Sequence, residues 1–485
     1  MSVKYTTDFE PLIEAVASTQ LDRIAQETVH LLRQNVPPFF IIGHAGLPAA
    51  WGDTNGHLVS ALAAGGHIAD WTRSIPASAE EDHADARQLV AALPLTAALA
   101  VAAPAIQAGE RAKHDLPEPL FPANITHPEG MSGALREAVQ SGDAVRTERL
   151  LLGYYGTGTD YRSFLTNVYH SIIEHYTGDG HILIFVHRAG QVLDMAGWGT
   201  KLPPFIHWLA PLLAKKQPEP PFIAEVNAFL SDPAHDLKPL RTRLAPANNR
   251  AAGAELRQAV LQGSPGEALA AVFAALTNGA QPHAVGSVIA LAAARRFLST
   301  PENDAEATAR AAHTLLVASA ARTAVSQIQD ISVLPILFIA AAAVNTLRET
   351  ARVEAPKAGA GSGRITTAGS LAGGILAPVM LRSLEHLLES SDEPGAQASI
   401  RRYLQLGHPP RGLAATLAIV ASQGDATSDT GHTLLLAQAA AEEYLALPAH
   451  LQGSEGEALL FAGVRAAIHR PAGAAILEAV KRATA

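Results

Sequence analysis

The chain has 485 residues, enough for about three domains of ordinary size, and it contains no cysteine. The lack of cysteine excludes disulfides, cysteine-bound zinc and iron–sulfur clusters, so any metal must bind His, Asp or Glu. Lys and Arg number 36 against 45 Asp and Glu, a net charge of −9, and the basic residues do not cluster, so nucleic acid is not an expected partner.

The N-terminus and one long apolar run bear on the location of the protein. The N-terminus has no basic segment followed by an apolar one, which favours a cytoplasmic location over secretion. The run from Leu89 to Ile106 is free of charge and approaches the length of a membrane span. Its apolarity comes mostly from alanine, and Pro94 and Pro104 are expected to interrupt a helix, so we predict buried core and no membrane partner. The shorter run from Ile331 to Val344, broken by Pro335, is predicted to be core as well.

Helix-forming residues dominate the chain from end to end. Aromatic residues make up 5%, and the alternations typical of strands are few. The sequence therefore predicts an all-α fold, a multi-helical array of αα-hairpins around an apolar cavity. The stretches Lys215–Pro221 and Ala355–Gly363 have the composition of linkers. We expect an N-terminal helical subdomain at residues 1–216 and a C-terminal one at residues 222–485, together forming one continuous unit.

Two motifs predict where helices begin. The stretch from Ser299 to Asp304 ends in acidic residues and precedes the run from Ala305 to Ser326. Ser454, three residues before Glu457, predicts a capping box in which the glutamate reaches back. Signatures of nucleotide loops and serine hydrolases are missing from the sequence; the glycines from 359 to 363 have neither the spacing nor the preceding strand of a dinucleotide loop.

Histidine is abundant for so apolar a chain, with 20 residues, and several histidines follow Gly or Pro where an apolar helix begins. A histidine in the first helical turn lies beside free backbone N–H groups and the positive helix end, which favours the neutral imidazole. Neutral imidazole binds metals or acts as a base. The alternative is that each ring fills space and bonds a carbonyl. The pattern occurs at His57, His181, His283 and His432.

The segment from Tyr154 to Trp208 is the richest in candidate functional residues. His170 and Glu174 share one helix face and could serve a metal or proton transfer, or form only a surface pair. Aromatic rings and a cation nearby could face an oxygen-rich planar ligand, or could anchor the core. We therefore predict His57, His181, His187, His283 and His432 as catalytic residues, Asn55, Tyr169, Arg188 and Trp198 as substrate-binding residues, and His170 and Glu174 as the only candidate metal ligands.

These segments resemble the questin oxidase-like family, including the all-helical domain found behind a Rieske module in some bacterial proteins. NGHLVSALAAGG at 55–66 is similar to a family helix that opens with histidine, and GHILIFVHRAGQVLDMAGW at 180–198 to one closed by Gly-Trp. The segments 431–448 and 453–471 are similar to the final helix pair. The resemblance implies an all-helical fold with histidines converging on an apolar cavity.

Fungal members of that family oxidise anthraquinones with ring opening, a Baeyer–Villiger type oxygenation that draws on NADPH. The resemblance thus implies an oxygenase or oxidoreductase acting on a hydrophobic aromatic molecule, quinone or polyketide-like, with NADPH as the candidate cofactor. This chain departs from the pattern: it has no Rieske portion, and Ser60, Phe185 and Gly286 stand where a second histidine or hydroxyl is expected. The alternative is a non-catalytic helical protein that binds an apolar small molecule.

Overall fold

The computed structural model describes residues 7–76, 84–242, 252–347 and 377–485, and no strand occurs among them. The predicted all-α class is confirmed. The predicted linker Ala355–Gly363 lies outside the described residues. The other predicted linker, Lys215–Pro221, is a non-helical connection.

The α-helices are numbered in chain order. The first eleven are α1 (Glu10–Ala17), α2 (Leu21–Arg33), α3 (Pro38–Gly52), α4 (His57–Trp71), α5 (Ala84–Arg111), α6 (Gly130–Ser141), α7 (Ala144–Gly156), α8 (Tyr161–Glu174), α9 (His181–Ala196), α10 (Leu202–Leu213) and α11 (Phe222–Ser231). They are followed by α12 (Ala254–Gln262), α13 (Pro265–Thr277), α14 (Pro282–Ser299), α15 (Ala305–Gln327), α16 (Pro335–Thr346), α17 (Ala377–Glu389), α18 (Glu393–Gln405), α19 (Pro410–Ala421), α20 (His432–Ala446), α21 (Glu457–Ile468) and α22 (Ala475–Thr484). Short 3-10 helices lie at Thr72–Ser74, Pro122–Asn124, Gly199–Lys201, Pro233–His235, Lys238–Thr242, Ile331–Val333 and Ala449–Leu451.

The apolar run in α5 is part of the core. Residues Val90–Arg111 are long and apolar enough to cross a membrane by length and composition, but 78% of that apolar window is buried inside the protein. The expected interruption at Pro94 and Pro104 is wrong, because α5 runs through both prolines. Tertiary packing outweighs the cost of proline inside a helix here, because α3 and α4 pack along α5. The packing is close at Pro94: a Cβ atom added to Gly65 of α4 would lie 2.8 Å from the Pro94 carbonyl oxygen. By contrast Pro335 opens α16, as the break in the second run predicted.

Both predicted helices begin after their motifs, α15 at Ala305 and α21 at Glu457, but only the first has a side-chain cap. The Asp304 side chain caps α15 by accepting the Ala307 N–H at 2.9 Å. The capping box at Ser454 is wrong, because α21 begins without a side-chain cap and Glu457 instead accepts a hydrogen bond from Arg401 at 2.9 Å. The ion pair across helices competes with the local bond.

Four helices pack in a closed ring: α4 on α9, α9 on α15, α15 on α20, and α20 on α4. Two of them come from residues 1–216 and two from residues 222–485. The division into two subdomains stays a prediction. The ring therefore brings helices that are remote in sequence side by side.

Candidate functional site

Three of the predicted histidines begin helices directly after a glycine in the left-handed conformation. The φ angles are +88° for Gly56, +80° for Gly180 and +81° for Gly431. Side chains rarely adopt this conformation, and a Cβ on Gly56 would also lie 2.4 Å from the Phe185 ring. The turn therefore requires glycine and places an imidazole at the first helical residue. The three histidines are His57, His181 and His432.

Asp53 holds the loop that precedes α4. Its carboxylate accepts the N–H groups of Asn55, Gly56 and Val59, each at 3.0 Å. The Asn55 side chain in turn accepts the backbone N–H of His57 at 3.0 Å. Asn55, which we expected to bind substrate, thus supports the backbone of the helix start.

Asp429 plays the same part for α20. Its carboxylate accepts the N–H of Gly431 at 3.0 Å and that of Thr433 at 2.9 Å. The Nδ1 atom of His432 lies against the Asp429 carbonyl, which can only accept a hydrogen bond. The ring proton therefore sits on Nδ1, and Nε2 carries the free lone pair.

Imidazoles from the four packed helices meet at one end of the helix ring. The imidazole centroid of His57 lies 5.1 Å from that of His181 and 4.8 Å from that of His432, and the centroid of His181 lies 4.1 Å from that of His313 on α15. We call His57, His181, His313 and His432 the histidine cluster.

Three members of the cluster are close enough to share an ion. One ring nitrogen from each of His57, His181 and His432 lies within 4.8 Å of the others. Nitrogens that bind one ion tetrahedrally, each at about 2.1 Å, are about 3.4 Å apart. Side-chain rotations that move each nitrogen by about 1 Å therefore complete a three-imidazole ligand set.

Burial favours the neutral form of three members of the cluster, His57, His181 and His313. It lowers the pKa of His57 from 6.5 to about 4, with His432 and His181 adding to the effect. Burial also lowers the pKa of His181, against an opposing influence of Asp179, and lowers that of His313 well below its ordinary value. These three imidazoles thus present lone pairs at neutral pH, the state that a metal requires.

A half-open cavity of about 620 Å³ opens beside the cluster and is lined by three of its members, His181, His313 and His432. This volume is within the usual range for small-molecule sites, about 300–1,000 Å³. The wall is mostly apolar and includes Tyr176 and Phe222, with Arg310 as its cation. His57 lies behind the wall, its ring 5.2 Å from that of Phe185.

Two predicted catalytic histidines do not join the cluster. His187 is buried further along α9, and both of its ring nitrogens lack a hydrogen-bond partner among the described residues. Burial, followed by the adjacent Arg188, lowers the pKa of His187 to about 3. His283 is half-buried in the first turn of α14, after a proline instead of a left-handed glycine. Burial and then Arg322 lower the pKa of His283.

The predicted substrate-binding side chains from the Tyr154–Trp208 segment lie outside the cavity wall. Tyr169 is fully buried, and Arg188 is buried with its guanidinium donating to Gln191 at 2.8 Å. The Trp198 ring nitrogen donates to Asp194 at 2.7 Å. These side chains anchor the structure around the ring of helices.

His170 and Glu174 form a pair at 3.0 Å, and Glu174 also binds Arg136 at 2.6 Å. Burial lowers the pKa of His170, while Glu174 raises it. Within the described ranges, the group of three metal-capable side chains includes neither residue of this pair. The geometry is that of a half-exposed pair in which Glu174 is held by Arg136 and by the His170 ring.

Ser60, Phe185 and Gly286, which stand where the resemblance implies a second histidine or a hydroxyl, have structural roles. Ser60 is fully buried and its hydroxyl donates to the Gly56 carbonyl at 2.7 Å. Phe185 packs edge-on against His57. Gly286 lets α14 approach α15, since a Cβ there would lie 2.8 Å from the Cα of Arg322.

Sequence reasoning missed His313 and Tyr176. His313 is the ninth residue of α15, with no glycine or proline before it, so it lacked the pattern by which the others were chosen. The signal that could have found it is a polar ring that begins an apolar face of α15, with Leu316, Val317 and Ala320 three, four and seven residues later. Tyr176 lies between α8 and α9, five residues before His181.

No family model, curated protein or solved structure matches the chain.

Proposed function

We propose that the protein is an oxygenase for a hydrophobic aromatic small molecule, quinone or polyketide-like, whose histidine cluster holds a divalent metal ion. The observation that carries the proposal is the approach of the His57, His181 and His432 nitrogens to within 4.8 Å of one another beside an apolar cavity. The resemblance to questin oxidase-like proteins supports the oxygenase chemistry.

The donor set limits which metals fit. Imidazole nitrogens suit iron, copper, nickel and zinc, and three protein ligands leave coordination positions open. When bound, a redox-active ion such as iron(II) would supply activation of dioxygen. His432 contributes Nε2, because the Asp429 carbonyl holds the proton on Nδ1. The depressed pKa values of His57 and His181 keep their nitrogens available at neutral pH.

Side chains of the cavity would bind and orient the substrate. The apolar wall excludes water from an aromatic ring system, and Phe222 offers a face for stacking. Burial raises the pKa of Tyr176, and Asp179 raises it further, so the phenol stays protonated. Tyr176 can therefore donate a hydrogen bond to a quinone carbonyl.

In a ring oxygenation of the Baeyer–Villiger type, one oxygen atom of O₂ enters a ring C–C bond beside the carbonyl. The other oxygen atom leaves as water: NADPH supplies two electrons and one proton as a hydride and becomes NADP+, and the second proton comes from solvent. The proposal therefore includes NADPH as the reductant.

The test combines metal content with oxygen uptake. Purified protein is loaded with iron(II), manganese(II), cobalt(II) or zinc(II), its bound metal is measured, and oxygen uptake is followed with a dihydroxyanthraquinone, with and without NADPH. We expect one bound metal per chain and quinone-dependent oxygen uptake. The variants His57→Ala and His432→Ala should each lower metal affinity at least about tenfold, whereas His283→Ala, at a helix start outside the cluster, should bind metal as the unaltered protein does.

Two outcomes would overturn the proposal. A protein that binds none of these ions has no metal centre at the cluster. A protein that binds the quinone tightly without any oxygen uptake is the alternative, a helical binding protein for an apolar molecule.

A further inference from the structure

The four helices of the ring carry a second set of polar side chains beyond the histidine cluster. These side chains lie 6 to 11 residues after the cluster histidine of their own helix. At 1.5 Å per residue, that places them about 9 to 16 Å further along the ring. We call the following residues the polar layer: His67 on α4, His187, Arg188 and Gln191 on α9, Arg322 on α15, and Gln438, Glu442 and Glu443 on α20.

The order of the two layers is the same on every helix of the ring. The helices α9, α15 and α20 meet once through a cluster histidine and again, later in sequence, through the polar layer. Along α4, Gly56 lies against Phe185 of α9 and Gly66 lies against Met195, later on both helices. All four helices therefore run in one direction. In a parallel ring, the axial position of one helix at the polar layer also sets its position at the cluster.

Side-chain hydrogen bonds join α9 to α20 in the polar layer. Arg188 donates to Gln191 on its own helix and to Gln438 on α20. Gln191 donates to Glu442 at 3.2 Å, and Gln438 donates to the same carboxylate. Arg188 and Gln438 are both almost completely buried, with 1% and 0% of their surface exposed.

An ion pair joins α15 to α20. The Arg322 Nε atom lies 2.8 Å from both carboxylate oxygens of Glu443, and Ser319 donates to the same carboxylate at 2.7 Å. Arg322 also reaches Glu442 at 3.6 Å. Glu443 has no exposed surface, so its charge depends entirely on these partners.

The residues between the two layers fix the axial position of a helix less strongly than the polar layer does. They are largely alanine, leucine and valine, which pack in more than one register, as Leu434, Leu435, Leu436 and Ala437 on α20 illustrate. The polar layer is different, because a slip of one helical turn, about 5.4 Å, would leave Glu443 or Arg188 buried without a partner. A buried charge that has lost its partner is strongly destabilising, so the polar layer disfavours the slipped arrangement.

We propose that the polar layer is a positioning device: by fixing the axial register of α9 and α15 against α20, it brings the imidazoles of His181, His313 and His432 together. The ion pair Arg322–Glu443 fixes α15 against α20, and the Arg188–Gln438 bond fixes α9 against α20. The value of this register for metal binding rests on the proposed function, but the register itself does not.

The decisive variant replaces the ion pair by apolar side chains, Arg322→Met together with Glu443→Met. Such replacements are often neutral or stabilising, so the variant is expected to fold. Ring-proton contacts of the metal-free protein are then measured by NMR. The unaltered protein should show contacts between the His57 and His432 rings and between the His181 and His313 rings. In the double variant, the contact between His181 and His313 should weaken at least several-fold, although the melting temperature is retained.

Matched variants separate positioning from general stability. Arg401→Met with Glu457→Met removes an ion pair between α18 and α21, which lie outside the ring of four helices. This variant should leave all contacts between the histidine side chains intact. Arg322→Lys keeps the charge pair and should keep the contacts. Gln438→Met changes no charge and should weaken the contacts of His432 with its neighbours, which keeps the proposal testable if the double variant does not fold.

If the contacts between the histidine side chains are fully retained in both Arg322→Met/Glu443→Met and Gln438→Met, the polar layer has no positioning role. Cobalt(II) titration of the same proteins reports on the metal site separately. A wild-type protein that binds no cobalt overturns the proposed function and leaves the result on register standing.

Discussion

His181 and His313 lie with their ring centroids 4.1 Å apart, although one begins α9 and the other lies in the middle of α15. His313 is buried and its Nε2 atom has no hydrogen-bond partner among the described residues. The ring of His313 therefore supports His181 from the side of α15.

The first prediction concerns that support. His313→Ala should lower the free energy of unfolding by about 1–3 kcal/mol and weaken cobalt(II) binding, because His181 loses a packed neighbour. His313→Phe retains an aromatic ring and should restore most of both. Urea denaturation and cobalt(II) titration measure the two effects. If the phenylalanine variant binds cobalt as poorly as the alanine variant, His313 acts through its nitrogen instead of its ring.

The second prediction concerns the glycine before His57. Gly56→Ala should destabilise the protein by about 1–3 kcal/mol, because it strains a left-handed residue and drives a Cβ into the Phe185 ring. Gly266→Ala is the control: it lies in α13, and its Cβ would meet no atom within 4 Å. We expect that control to be neutral or to stabilise slightly in thermal denaturation. Equal effects of the two substitutions would contradict this role of Gly56.

The third prediction concerns acid. His187 has a pKa of about 3 in the folded protein against 6.5 ordinarily, so between these values the unfolded chain binds more protons. The free energy of unfolding therefore rises with pH in this window and is lost as pH falls below about 6.5. His187→Met removes the group, and its unfolding free energy should depend on pH less steeply, by about 1.4 kcal/mol per pH unit between pH 6 and 4. Urea denaturation at several pH values measures the slope, and parallel slopes for the two proteins would show that His187 is not the source.

The fourth prediction concerns the contact of α14 with α15. Gly286→Ala should lower the unfolding free energy by about 1–3 kcal/mol, because the new methyl group meets the backbone of α15 at Arg322, which cannot move aside easily. Gly190→Ala, in α9, meets no atom within 4 Å and should instead stabilise by about 0.5–1 kcal/mol through helix propensity. Thermal and urea denaturation distinguish the two, and stabilisation by Gly286→Ala would refute the close contact.

The fold class and several helix starts could be predicted because they depend on neighbours in sequence. The pair Gly-His marks the start of α4, α9 and α20, since the glycine turn and the first helical residue are adjacent. Which histidines meet depends on how helices pack, and that is not a local property. His187 was grouped with His181 by proximity in sequence, yet its place further along α9 puts it in the polar layer.

The capping box at Ser454 and the interruption at Pro94 failed for a related reason. A partner from another helix, Arg401, takes the Glu457 carboxylate, and the packing of α3 and α4 keeps α5 continuous through its prolines. In both places tertiary contacts outweigh a local preference.

The shared direction of the ring has an electrostatic consequence for whatever enters the cavity. In an antiparallel bundle the backbone dipoles of neighbouring helices largely cancel, whereas here those of α4, α9 and α20 add, and all three amino-terminal ends meet at the cluster. These helix ends place partial positive charge beside the cavity, and the lining carboxylates of Asp179 and Asp429 oppose it. A divalent ion held by the cluster, as we propose, would add to the positive side, and a phenolate would then bind there more tightly than the corresponding phenol.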